Sequence, residues 1–226
     1  MTGLLASVAP LVYQHHHEAE TPRQIARMFQ WFLAVTLPVL LFLGLFSEEL
    51  VSLVAPAAYD LAAPLVAMLG AALLLASCYT FSPGLWIAGR TGWVSVIGLG
   101  SGALNLALNF TLIPRLGLPG AGLAAMLSAG AGCVAHLTFG QRFYRVPFAW
   151  RRIVVAVPIA LATLLLVPRA LPADSWGSLN ALLARAAFWL TASIAIGTVL
   201  IGPHDTNLVM HRLKATVDRS WLRRQA

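Results

Sequence analysis

Six apolar runs of about 20 residues follow one another along this chain with little between them, and an α-helix needs a run of that length to cross a bilayer core roughly 30 Å thick. A soluble chain of 226 residues would have to surround one core with charge. Here 59% of the residues are hydrophobic, only 10% are charged and the mean hydropathy is +0.79, which is a membrane composition. The expected fold class is all-α: a polytopic membrane helix bundle of about six transmembrane helices, with a partial N-terminal helix and an amphipathic C-terminal tail. The expected spans are residues 28–46, 61–86, 92–113, 118–140, 153–171 and 183–202.

Basic residues set the expected orientation. Arg23 and Arg27 precede the first span, Arg90 sits in the second connection, and Arg142, Arg145, Arg151 and Arg152 lie between the fourth and fifth spans. Five more Lys and Arg occupy the tail, leaving Arg115, Arg169 and Arg185 on the other side. The positive-inside rule then places both termini in the cytoplasm of a multi-pass protein of the cell's inner (plasma) membrane. Attraction to the anionic inner leaflet accounts for the net charge of +7 without nucleic acid.

The chain divides into five expected segments. Residues 1–14 read as the remnant of a preceding membrane helix, too short to span and without the basic start of a signal peptide. Residues 15–30 read as a cytoplasmic loop and interfacial ramp, with Thr21 as the hydroxyl cap, Pro22 at the first helical position, Arg23 and Arg27 on headgroups and Trp31 at the boundary. Residues 28–140 form a four-helix core, 141–202 an appended helix pair, and 203–226 a surface tail carrying Val209, Leu213, Val217 and Trp221 at spacing four.

Within the spans no Asp, Glu, Lys or Arg falls near a helix centre; Asp60, Arg90 and Arg185 are expected at helix ends, and His136 as a packing residue near the cytoplasmic end of the fourth span. Cys78 and Cys133 fall in apolar runs and read as small packing residues. His15, His16 and His17 are consecutive and lack the i, i+4 spacing of a helical metal pair, so no metal site is expected. Gly98 with Gly102, and Ser128 with Gly132, have the four-residue spacing that lets helix backbones approach in lipid. Pro38, Pro64, Pro83, Pro158 and Pro168 are candidate kinks. No HExxH, GxSxG or phosphate-cradling glycine loop occurs, and no enzyme activity or cofactor is expected.

The most specific stretch is LNLALNFTLIPRLGLPGAG, Leu104 to Gly122. It places Asn105 and Asn109 on one helix face, where amides can form interhelical or cavity-facing hydrogen bonds. Pro114 is expected to end that helix, with Gly117 and Gly120 freeing the backbone for a tight reversal. The order Leu104-Asn105, Asn109, Leu112-Ile113-Pro114, Gly117 and Gly120-Ala121-Gly122-Leu123-Ala124 resembles the C-terminal half of the polysaccharide exporters and lipid-linked oligosaccharide flippases of the multidrug/oligosaccharidyl-lipid/polysaccharide superfamily. The turn Gly89-Arg90-Thr91 after PGLWIA, and Ala55 to Tyr59 before the next span, are similar to that family as well. The resemblance covers residues from about 1 to 145, with the last two spans similar to the pair some members append.

That resemblance implies export of a lipid-linked oligosaccharide or polysaccharide precursor by alternating access, in a fold of two lobes of which this protein matches the tail of the eighth helix and helices nine to fourteen. The substrate-binding candidates it implies are Asn105 and Asn109 through their amides, and Arg90 and Arg115 at the inner and outer mouths. Implied partners are the lipid-linked glycan, membrane lipids, and either a missing N-terminal lobe or the glycosyltransferases or polymerase of a glycan assembly complex. A non-transporting accessory subunit of such a complex and a multidrug antiporter of the same superfamily are the alternatives. The antiporter is disfavoured because the spans carry no charged relay.

Overall fold

An α-helix pairs its backbone polar groups within one segment, the only way a single apolar run can lie in hydrocarbon, and helices are what these runs form. The computed structural model describes the backbone of residues 18, 20–170 and 179–222, and the side chains of all of these except 57, 60, 168–170, 179 and 203–222. The elements are α1 (Thr21–Leu45), α2 (Ser47–Val54), a 3-10 segment (Ala57–Ala62), α3 (Ala63–Ser77), a 3-10 turn (Cys78–Phe81), α4 (Gly84–Ile87), α5 (Thr91–Leu116), α6 (Leu118–Phe143), α7 (Trp150–Ala170) and α8 (Leu179–Leu222). Among the described residues there is no strand. Six helical stretches are long and apolar enough to cross a membrane: α1, Ala63–Ile87, α5, α6, Trp150–Val167 and Asn180–Gly202. The protein is a multi-pass membrane helix bundle.

Several boundaries differ from expectation for local reasons. No separate ramp precedes α1, which runs unbroken from Thr21 to Leu45. Thr21 is not the cap. Glu20 holds that position with α-region dihedrals and makes no capping hydrogen bond, its carboxylate accepting from Arg23 Nη1 instead, while the Thr21 N–H donates to Glu18 O at 3.1 Å. The second span is not one helix: Ser82 adopts φ −121°, ψ 69° ahead of Pro83, and α3 and α4 are separate pieces. A proline's ring crowds the α conformation of the residue before it. Pro64 is no kink either, since it lies in the first turn of α3, where a missing N–H costs nothing. The proposed remnant at 1–14, the histidines at 15–17 and the loop around 171–178 lie outside the described residues, as do the side chains of the tail, whose backbone is helical to Leu222 after a break at Gly202.

The protein forms two units. The first comprises residues up to Phe29 together with Val39–Ala149; the second comprises Gln30–Pro38 and the residues from Trp150 onward. Helix α1 contributes to each along its length, and its buried positions Ile25, Phe29, Leu33, Leu37, Leu41 and Leu45 recur every fourth residue. At 3.6 residues per turn, such a stripe advances by about 40° at each step and winds around the helix.

In the first unit α6 is the central element, packed against α3, α4 and α5. Its small residues allow this. A Cβ on Gly122 would press on Met68 and Leu65 of α3, one on Gly120 would meet the Leu112 carbonyl of α5 at 2.5 Å, and one on Gly140 would overlap Ser82. Gly84 of α4 in turn has no room for a Cβ against the Gly140 carbonyl. Beside this crossing, Phe29 packs on Phe81 and Phe148, each at 5.1 Å between ring centres. Cys78 and Cys133 are buried free thiols, and His136 rests its ring on Tyr79 while its carbonyl accepts from Ser82 Oγ at 2.9 Å.

In the second unit α7 and α8 pack together. Arg152 Nη1 donates to Leu200 O at 3.1 Å, where the helix breaks at Gly202 (φ 61°); a guanidinium bonded to a last-turn carbonyl caps the helix from outside. Trp189 Nε1 donates to Pro38 O at 2.9 Å.

Candidate functional site

One polar feature within the apolar first unit is the α5–α6 hairpin. Its reversal rests on Gly117, whose φ of 65° and ψ of −141° suit glycine and no residue with a Cβ. The Gly117 N–H donates to Ile113 O at 2.8 Å, and the Gly120 N–H to Gly117 O at 3.0 Å. Pro114 therefore does not end α5, as the sequence suggests; it is accommodated in the last turn, and the helix stops at Leu116, where glycine changes the backbone direction.

From that turn the two helices run back antiparallel. On α5 the side chains turned inward are Ile97, Ser101, Asn105, Leu108 and Leu112, spaced four, four, three and four as a helix seam requires. Across from them on α6 lie Gly132 against Ser101 and Ser128 against Asn105. Asn109 Nδ2 donates to Asn105 Oδ1 and to Asn105 O, each at 2.9 Å; Asn105 Nδ2 donates to Ser128 Oγ at 3.0 Å; and Ser128 Oγ donates to Ala125 O at 3.1 Å. The two asparagines share a face as expected, and Asn105 joins it to α6 through Ser128 while Asn109 bonds back to Asn105 on its own helix. In hydrocarbon an amide needs such a partner.

The two arginine candidates do not join this cluster. Arg90 follows Gly89 (φ 66°), and the Arg90 and Gly89 N–H groups donate to Leu85 O and Trp86 O at 2.9 and 3.0 Å. That pattern is a Schellman turn closing α4, with the exposed Arg90 side chain just outside it. Arg115 is exposed in the last turn of α5, where a cation suits the helix dipole. With α5 between them, Arg90 and Arg115 stand about 37 Å apart at 1.5 Å per residue, so no single small site holds both.

Small residues also sort differently from expectation. Ser128 and Gly132 are buried in the seam, but a Cβ on Gly98 or Gly102 would meet nothing within 4 Å. Each follows a seam residue by one position, about 100° around the helix, and so faces outward.

Sequence reasoning missed Arg185. It was expected at the end of the last span, yet it is 1% exposed and stands in the buried row Ala181, Arg185, Ala192, Ile196 and Leu200 of α8. The spacing of that row is the signal that would have found it. Arg185 lies in the second turn of the span Asn180–Gly202. No protein-family model, curated protein or solved structure matches this protein.

Proposed function

We propose that this protein takes part in moving the saccharide of a lipid-linked oligosaccharide or polysaccharide precursor across the cell's inner (plasma) membrane, with both termini in the cytoplasm. Alternating access, with further helices completing a second lobe, is the mechanism of this reading. What carries it is the α5–α6 hairpin: the stretch resembling the flippase motif folds into two long apolar helices joined by the Asn105–Ser128 hydrogen bond, with Asn109 bonded to Asn105 along α5.

Amide and hydroxyl groups that bond one another in the resting state can exchange those bonds for the hydroxyls of a sugar, at small net cost because each hydrogen bond lost is replaced. Translocation also needs a cation for the pyrophosphate that links glycan to lipid. The resemblance gives that role to Arg90 and Arg115 at the inner and outer mouths, both of them exposed. Each acts at its own surface, Arg90 as the phosphate enters and Arg115 as it leaves. Deletion of the gene tests the reading: lipid-linked glycan is expected to accumulate facing the cytoplasm and the surface polymer to be lost, with the protein supplied in trans restoring it. An unchanged surface polymer without accumulated precursor would overturn it.

A further inference from the structure

The first unit has a second polar feature, remote from the hairpin seam. An open cavity of about 590 Å³ is lined by Pro22 and Arg23 from the start of α1, Gln141 near the end of α6, and Arg145, Val146 and Pro147 from the segment leaving α6. Its far wall is held in place. Gln141 grips Val146 by two hydrogen bonds, its Nε2 donating to Val146 O and its Oε1 accepting from the Val146 N–H, each at 3.0 Å. Val146 and Phe148 are buried, and the Phe148 ring meets Phe29 edge-on at 5.1 Å. Arg145 and Pro147 are therefore displayed from a fixed turn opposite Pro22 and Arg23.

The charge of this cavity is specific. Two guanidiniums, Arg23 and Arg145, line it from separate elements, and no carboxylate is among its lining residues; Arg23 Nη1 also donates to Glu20 Oε1 at 2.9 Å. Two guanidiniums in a lining without a carboxylate suit the oxygens of an anionic phosphate. Depth fits as well: α6 has 26 residues, about 39 Å at 1.5 Å per residue, so its ends extend past a core of roughly 30 Å into the headgroup layer.

We propose that this cavity, between Arg23 and Arg145, is a binding site for the phosphodiester headgroup of an anionic membrane lipid. The lipid's tails stay in the bilayer beside α1 and α6, and its phosphate bridges the two guanidiniums. The site stands whether or not the protein moves a glycan, because it uses none of the residues assigned to translocation.

Native mass spectrometry on the full-length protein, purified in detergent and titrated with phosphatidylglycerol or phosphatidylcholine, tests it. Phosphatidylglycerol is expected to be retained over phosphatidylcholine, and the paired substitution Arg23→Gln with Arg145→Gln to cut retention by about tenfold, as loss of charge-assisted hydrogen bonds predicts. Both arginines are exposed, so folding survives the change, verified by an unaltered melting curve. Arg142→Gln removes one charge from the same helix end, but its guanidinium lies over Phe139 at 5.4 Å, outside the cavity, and this variant should keep the lipid. Gln141→Ala leaves both charges and frees the turn; it should weaken retention by a smaller factor. Equal losses for Arg142→Gln and Arg145→Gln would reduce the site to diffuse surface charge and overturn the proposal. Displacement of the lipid by inorganic phosphate or glycerol phosphate at matching concentration would show that the cavity reads the free anion, and would overturn it too.

Discussion

Helices α5 and α6 have the same length, 26 residues, and similarly apolar, glycine-rich sequences, yet 33% of the α6 membrane window is buried and only 6% of the α5 window. The difference lies in how many neighbours each must serve. Helix α6 packs on α3, α4 and α5 and uses Gly120, Gly122, Gly132 and Gly140 to let them approach. Helix α5 spends one seam on α6 and leaves Gly92, Gly98, Gly100 and Gly102 with nothing within 4 Å. A small residue permits close approach but does not state which face will use it.

Substitutions that add volume break or sharpen this contrast. The largest effect is expected from Gly140→Val or Gly84→Val, since both positions meet backbone or a short side group that cannot move away; overpacking of this kind costs about 3 kcal/mol or more. Loss of monodisperse protein in detergent is the expected result. Gly120→Val, pressed against the Leu112 carbonyl, should follow with roughly 1–3 kcal/mol, read as a lowered melting temperature. Asn105→Leu comes next, because it removes the bond to Ser128 and one of those from Asn109; polar contacts between membrane helices are worth about 0.6–2 kcal/mol. The smallest effect belongs to Gly98→Ala or Gly102→Ala, which should be neutral or stabilising by up to about 1 kcal/mol through helix propensity. If they destabilise as much as Gly120→Val, the outward face of α5 is packed and the contrast fails.

What was legible in the sequence follows the same division. Span number, helical class and the shared face of Asn105 and Asn109 depend on run length and the 3.6-residue period, which are local properties. The ends of elements depend on competing local rules, and there the outcome differed: Glu20 preceded Thr21 into the first turn, Pro114 was tolerated where Gly117 did the turning, and Pro83 divided a span by its effect on Ser82. Least legible was burial. Within lipid the inward and outward faces are almost equally apolar, so composition does not distinguish Gly98 from Gly132. Arg185 is the informative exception, since a charge in a row of Ala, Ile and Leu at seam spacing can be recognised once both faces of the helix are compared.

The proposed transport role rests on polar groups kept between helices, and photolabelling in intact native membranes tests that most directly. A lipid-pyrophosphate saccharide carrying a photoactivatable group on the sugar is irradiated with and without excess unlabelled precursor. The account predicts saturable labelling of peptides around Asn105–Asn109, diminished by Asn105→Leu. Labelling that excess precursor fails to compete, or that falls only on the outward face of α5, would contradict it.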